Sequence, residues 1–294
     1  MARTRPSIRL IAGPTASGKS ALALEMADKT GAVIVNADSM QLYRDLRILT
    51  ARPNDDEEAR AEHRLFGIAD GAEAWSTGRW LRAVAEILGE LRALDRPAIV
   101  VGGTGLYFHA LTRGIADIPE VPAAVRTAVA EEFDREGEQS FRRALHDLDP
   151  RAEARIAPGD RQRLVRAMTV ARASGRALTD WQADTRPILG ADAFDPLVLE
   201  PPRDELYRRC DERLDAMVEA GVLAEVEALA ARRLDPDLPV MKATGVREFM
   251  GVVRGERSLE DAIDAAKRET RRYAKRQYTW LRNQARDWPR RGAV

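Results

Sequence analysis

The spacing of apolar residues changes character along this chain. Largely apolar runs at Ile8 to Ala12, Ala32 to Ala37 and Ala98 to Val101 have strand length, and the first two are rich in Val and Ile. Between them, Lys19 to Lys29 and Gly78 to Leu94 carry apolar positions at helical spacing. Alternating strands and helices predict a parallel sheet covered by helices. A fourth strand candidate, Phe194 to Leu199, comes only after an almost strand-free stretch. From Pro122 to Ala183 the pattern is helical, with Ala123 to Arg135, Ser140 to Leu148 and Arg161 to Ser174 separated by Gly and Pro breaks. It is helical again after Pro201, over Asp204 to Ala220, Leu223 to Arg232 and a long last segment from about Ser258 to Ala285. Ser258 with Asp261 gives that last helix a capping-box start. The expected organisation is an α/β core formed by residues 1–116 and 190–294, with helical C-terminal segments, split by a helical insertion over 117–189.

The last helix is two-sided. Projected on a helical wheel, Leu259, Ile263, Ala266, Tyr273, Ala274, Trp280 and Leu281 share one face, while Lys267, Arg268, Arg271, Arg272, Lys275, Arg282 and Arg286 lie opposite. A solvated charged face explains such a stripe as readily as a phosphate-binding one. The absence of acids on that arc favours a nucleic acid backbone.

Composition narrows the setting. Of 294 residues, 45% are apolar, ample for a buried core. No apolar run approaches the roughly 18 residues of a membrane span, and the Met-Ala-Arg-Thr-Arg start lacks a signal-peptide core, which predicts a cytoplasmic protein with no membrane partner. The single cysteine, Cys210, excludes an intrachain disulfide and a cysteine-based zinc site. Net charge is zero, but its distribution is not even. From Asp261 onward there are ten Lys or Arg against four acids, so the remainder of the chain is acidic by the same amount.

The strongest chemical signal follows the first strand. Gly13-Pro14-Thr15-Ala16-Ser17-Gly18-Lys19-Ser20 matches G-x-x-x-x-G-K-[ST] between a strand and a helix, so the chain is expected to bind a polyphosphate on a P-loop NTPase-like fold. The glycines let successive N–H groups point inward, the helix adds its positive end, Lys19 neutralises phosphate, and the Ser20 hydroxyl can ligate Mg²⁺. Asp38 lies just past the second strand, at the sheet edge where α/β folds hold ligands, and is suited to accept a proton or organise metal and water. A helix N-cap is the alternative role for Asp38.

The strand Ala98 to Val101 ends in Gly102-Gly103-Thr104-Gly105 with no terminal acid, which weakens a kinase assignment. Those glycines suggest either close backbone approach to a ligand, with Thr104 as a hydroxyl contact, or a tight turn. Gln162, Arg163 and Arg166 cluster within one turn and suit phosphates, bases or plain solubility. Arg208, Arg209 and Arg213 form a further group, from which Arg213 could reach an anion.

Taken together, the phosphate-loop motif, Asp38-Ser-Met-Gln-Leu-Tyr43, Gly102-Gly-Thr-Gly-Leu-Tyr107 and Thr270-Arg-Arg-Tyr-Ala-Lys-Arg-Gln-Tyr-Thr-Trp280 resemble the tRNA dimethylallyltransferases, from about Ile8 to Trp280 and in the family's order. The resemblance implies transfer of a dimethylallyl group from dimethylallyl diphosphate to the exocyclic amine of the adenosine 3′ of the anticodon. Lys19, Ser20, Mg²⁺ and, by family position, Arg213 would then stabilise the leaving diphosphate. Asp38 would orient and deprotonate the amine, and Thr104 would line the channel that receives the extruded base. RNA contacts are implied at Asp38, Ser39, Met40 and Gln41, at Thr104 and Arg126, at Gln162, Arg163, Leu164, Val165 and Arg166, and at Ala243, Thr244, Gly245, Val246, Arg247 and Glu248. The basic last helix would add phosphate contacts, and the insertion would clamp the anticodon stem-loop of a tRNA bound by a monomer. The chain departs from the family pattern at Ala157 and Gly159, where His and Asn are usual, at Thr169, usually Glu, and at Val246, commonly Tyr. Rival assignments are a small-molecule P-loop kinase, an adenine-nucleotide prenyltransferase and an RNA-binding NTP switch.

Overall fold

The computed structural model describes residues 8–119 and 121–292. In chain order its elements are β1 (Ile8–Ala12), α1 (Lys19–Thr30), β2 (Val33–Asn36), α2 (Asp55–Arg60), β3 (His63–Arg64), α3 (Thr77–Ala93), β4 (Ala98–Gly102) and α4 (Gly105–Arg113). There follow α5 (Ala123–Leu148), α6 (Pro150–Arg155), α7 (Arg161–Ser174) and α8 (Leu178–Ala183). The chain then runs through β5 (Asp195–Leu199), α9 (Arg203–Glu219), α10 (Val222–Ala231), α11 (Val246–Val253), α12 (Leu259–Gln284) and β6 (Arg290–Arg291).

The strands form one sheet in the order β3-β2-β4-β1-β5-β6, and every pairing is parallel. Helices cover both faces, which is why β1, β2 and β4 read as largely apolar runs and not as alternating ones. Leu10, Val33, Val35, Ala98 and Val100 enter the larger core, while Ile11, Ile34, Ile99 and Val101 enter a second core with Leu22, Ala23 and Ala27 of α1. The architecture is the expected P-loop-type parallel sheet flanked by helices. The two-residue strands β3 and β6 were not expected, because His-Arg and Arg-Arg carry no apolar signal.

The residues divide into two compact units. One is discontinuous and resumes at Ile188 after breaking at Thr112; the other is Arg113–Pro187. The second is all helical, with Val129, Phe141, Leu145, Ala152, Leu164, Ala167 and Met168 as its core. Gly137, at φ 76, breaks α5 into two segments. Asp149 is fully buried, and its carboxylate accepts from the Ala152 and Thr179 N–H groups (both 3.0 Å) and the Thr179 hydroxyl (2.6 Å). Burial opposes ionisation there, but these donors win and hold the pKa below the ordinary range.

Thr169, on α7, is buried and its hydroxyl has no hydrogen-bond partner. An orphaned buried hydroxyl is a net cost, and valine keeps the same branched shape. Thr169→Val should therefore raise unfolding stability by about 1 kcal/mol in denaturant titration, and a loss of stability would show that the hydroxyl has a partner in solution.

Helix α12 differs from its wheel projection. Ser258 caps it, accepting from the Asp261 N–H at 3.1 Å. Its buried stripe is Ala262, Ala266, Thr270, Ala274, Gln277 and Leu281, whereas Leu259 is exposed. The stripe is built from small and polar residues because α12 packs closely on α9 and α11. The cationic face is also less free than its sequence suggests. Lys267 pairs with Asp215 (2.7 Å), Arg271 with Asp211 (2.6 Å), Arg272 with Glu269 (2.5 Å) and Arg282 with Glu200 (2.7 Å). Most of those carboxylates come from α9 and the β5 exit, which a projection of one helix does not see. Among the described residues no helix is long and apolar enough to cross a membrane.

Candidate active site

Parallel register brings three strand exits to one edge of the sheet. Ala12 is level with Gly102, and Asn36 with Val101, so the loops beginning at Gly13, Ala37 and Gly103 are neighbours. They are tied directly: Gly13 N–H donates to Gly102 O at 3.3 Å, Ala37 N–H to Val101 O at 2.7 Å, and Thr104 N–H to Ala37 O at 3.1 Å.

In the phosphate loop, Ala16 (φ 62) and Gly18 (φ 88) are left-handed. These turns let successive N–H groups converge on a concave anion site. A Cβ on Gly13 would lie 2.5 Å from the Ser17 hydroxyl and 3.2 Å from Leu199 O, so a side chain there would crowd the start of the loop. Lys19 opens α1, is 8% exposed, and donates to Pro14 O at 3.3 Å. Burial lowers its pKa to about 8 against the opposing pull of Asp38, and Arg213 lowers it further. Ser20 is exposed at the mouth of the adjoining cavity.

Asp38 is fixed through its main chain. The buried Asn36 side chain accepts from the Asp38 N–H at 2.7 Å and donates to Asp38 O at 2.9 Å. Asp38 Oδ1 accepts from the Met40 N–H at 3.0 Å, and no helix starts here, so the N-cap role does not apply. Thr104 Oγ1 accepts from the Ser39 N–H at 2.9 Å and lies 3.3 Å from the Ser39 hydroxyl. The partly buried Tyr273 phenol hydrogen-bonds Thr104, and desolvation, with Asp38 nearby, pushes its pKa up. Arg213 of α9 donates to the Thr15 hydroxyl, and burial pulls its guanidinium pKa down.

Two cavities meet along Thr15, Asp38, Thr50, Arg213 and Met217. The smaller, about 230 Å³, has an apolar side formed by Met40, Leu49, Leu214 and Met217, faced by Asp38 and Tyr273. The larger, about 680 Å³, contains the phosphate loop with Lys19, Arg47, Arg52 and Arg209 on its walls. Such a pair offers a carboxylate and an apolar pouch on one side and a cationic anion cradle on the other. It can hold an anionic leaving group and an apolar fragment on either side of one reacting bond.

The glycines at the β4 exit approach protein, not open ligand space. A Cβ on Gly102 would meet the Ala37 backbone at 2.1 Å, on Gly103 the Gln277 amide at 2.2 Å, and on Gly105 the Trp280 ring at 2.3 Å. No acid fits at Gly102, so the metal-holding aspartate of a hydrolysing P-loop enzyme is sterically excluded there.

The remaining expected positions divide by exposure. Ser39, Met40, Ala243 and Thr244 line the smaller cavity. Gln41 lines the larger cavity, and its buried side chain donates its amide nitrogen to Thr50 O (2.8 Å) and Ala51 O (3.0 Å). Gly245, at φ 96, sits against Leu49; Val246 and Glu248 are buried, and Arg247 is exposed. In the helical unit Arg126, Gln162, Arg163 and Arg166 are exposed, whereas Leu164 is fully buried in that unit's core and Val165 is partly buried. Desolvation of the guanidinium and then the Arg126 cation lower the Arg166 pKa, so the two like charges of α5 and α7 feel one another. Arg163 is 3.4 Å from Asp160.

Three positioning groups escaped the sequence reading. Asn36 looks like an ordinary strand end. Glu225 of α10 accepts from the Arg47, Ile48 and Leu49 N–H groups at 2.5, 2.8 and 2.9 Å, bracing the loop that walls both cavities. Gln277 lies in the Thr270–Trp280 motif among exposed cations, yet its side chain is buried.

The IPP transferase family model matches residues 41–284, and the isopentenyl transferase model matches residues 6–71. A tRNA dimethylallyltransferase of Phenylobacterium zucineum (strain HLK1) is 61% identical over 97% of this chain and 92% of its own length. The crystal structure of the full-length tRNA isopentenylpyrophosphate transferase from Bacillus halodurans aligns with TM-score 0.67 and 30% identity, covering 97% of this chain and 89% of that one. A eukaryotic dimethylallyltransferase described as acting on tRNA aligns with TM-score 0.85 and 25% identity, over 99% of this chain and 74% of that one.

Proposed function

This chain belongs to the tRNA dimethylallyltransferase family, and from that premise we propose that it moves the dimethylallyl group of dimethylallyl diphosphate to N6 of the adenosine 3′ of the anticodon. The observation that carries the reading is the meeting of the two cavities at Asp38, with the phosphate loop beyond it. The diphosphate lies on the loop N–H groups, Lys19 and Arg213, and the allyl group reaches the apolar pouch. The amine nitrogen attacks the allylic carbon as its bond to the diphosphate oxygen breaks. Asp38 orients that amine and takes up its proton, and Thr104 lines the channel. The target base enters unstacked from its loop.

Among the described residues no group of three or more His, Cys, Asp and Glu could hold a metal. The exposed Ser20 hydroxyl nevertheless suits a magnesium ion carried mainly by diphosphate oxygens, which would neutralise charge on the leaving group. For RNA, the exposed Arg126 and Arg166 pair, with Gln162 and Arg247, offers contacts to the anticodon stem-loop. The exposed Arg268 and Arg286 are the cations of the expected α12 face that we assign to phosphates. The enzyme works in the cytoplasm as a monomer.

The test is incubation with Mg²⁺, labelled dimethylallyl diphosphate and unmodified tRNA carrying adjacent adenosines in its anticodon loop. Prenylated adenosine that requires tRNA and does not form on free AMP is expected. Product on AMP would assign the enzyme to nucleotides, and ATP consumption on a small acceptor would assign it to the kinases.

A pH effect follows from Lys19. Its pKa of about 8 in the free protein means that the cation is lost as pH rises through that value, whereas a bound diphosphate favours the charged form. Donor affinity should therefore weaken about tenfold per unit well above pH 8, as measured by calorimetry between pH 7 and 9.5. A flat profile would remove Lys19 from contact with the anion.

A further inference from the structure

Gln277 sits on α12 with 6% of its surface exposed, and both ends of its amide are used. Thr15, in the phosphate loop, donates its N–H to Gln277 Oε1 at 2.8 Å. Gln277 Nε2 in turn donates to Gly103 O at 2.9 Å. The partners fix the orientation of the amide, since an N–H can only donate and a carbonyl can only accept. One side chain therefore joins the loop that cradles the donor to the turn that carries Thr104. That turn in turn holds Ser39, next to Asp38, through the 2.9 Å bond from the Ser39 N–H to Thr104 Oγ1. The fit is close on both sides, because a Cβ at Gly103 would come within 2.2 Å of the Gln277 amide.

We propose that Gln277 is a positioning residue that sets the separation between the diphosphate cradle and the acceptor side of the site. The proposal deepens the transferase reading and rests on it. Gln277 touches neither reacting atom; it acts through Thr15 and Gly103. Transfer between two substrates depends on near-attack geometry, and a displacement of about 1 Å is enough to cost a hundredfold in rate. Few other side chains could serve. Asparagine is too short to reach both partners, and leucine offers neither bond.

Gln277→Glu is the informative variant because it changes almost no volume. An ionised carboxylate still accepts from the Thr15 N–H but repels Gly103 O, whereas a protonated one can donate to Gly103 O and restore both bonds. Burial raises the pKa of the introduced carboxyl, so this switch falls at accessible pH. The expected result is a kcat about a hundredfold below that of the parent at pH 8, with KM for tRNA within about threefold and the melting temperature little changed. The ratio of variant to parent kcat should then climb as pH falls toward 6. Gln277→Leu should show an equal or larger loss with no such recovery.

A Gln277→Glu enzyme with kcat within about twofold of the parent overturns the proposal, as does a loss that is constant with pH. The parent protein is assayed alongside. If it prenylates tRNA, an unaffected variant counts against Gln277 alone; if it forms no product, the transferase reading itself fails.

Discussion

Asp38→Ala should lower turnover about a thousandfold while leaving tRNA affinity within a few fold. The adenine amine is a poor nucleophile whose lone pair is drawn into the ring, so a positioned carboxylate contributes twice, by orienting the nitrogen and by accepting its proton. Asp38 is placed for this by its main chain, which Asn36 holds on both sides at 2.7 and 2.9 Å. Its carboxylate makes one local bond, to the Met40 N–H at 3.0 Å, and otherwise faces the cavity shared with the phosphate loop. Asp38→Asn separates the two contributions, since an amide can still accept from the amine but cannot take its proton. It should lie close to the alanine variant in kcat and closer to the parent in KM for tRNA. Steady-state assay of prenylated product decides this, and a near-normal rate in either variant would remove Asp38 from proton transfer.

The position of Asp38 was legible in the sequence because strand exits are legible. Three largely apolar runs, each with residues buried on both faces, mark β1, β2 and β4, and parallel pairing then obliges the residues after them to meet. The phosphate loop was equally plain, except at Ala16, whose left-handed φ of 62 no residue type announces.

What the sequence hides is which neighbour a residue serves. The glycines of Gly102 to Gly105 signalled close approach, and the approach is real, but it is to Ala37, Gln277 and Trp280. The cations of α12 were visible, and their partners Asp211 and Asp215 lie in α9, dozens of positions away in the chain. Gln41 looks like an RNA contact, yet its amide nitrogen donates to the Thr50 and Ala51 carbonyls, and nothing in its residue type marks Gln277 as the link between two loops. Periodicity reports burial within one element, and these roles depend on contacts between elements.

Lys19→Met should lower kcat/KM for the donor about a thousandfold without lowering thermal stability. The second half of that statement follows from the cost of keeping Lys19 where it is. Lys19 is 8% exposed, has Arg213 as a neighbouring cation, and its pKa is pulled down to about 8 chiefly by burial. Such a group opposes folding, and an unbranched apolar side chain relieves the penalty, so the melting temperature should stay level or rise. Activity moves the other way, because charge builds on the diphosphate oxygen as the carbon–oxygen bond breaks and the site then lacks a cation held in place beforehand. Arg213→Met should behave similarly in rate, although it also frees the Thr15 hydroxyl that the guanidinium holds. Both cations serve one leaving group, so the double variant should fall well short of the product of the single losses. Parallel measurement of thermal unfolding and donor kinetics tests this argument. A Lys19→Met protein that loses stability in step with activity would show that Lys19 supports the fold, leaving the leaving-group charge to Arg213 and the loop N–H groups.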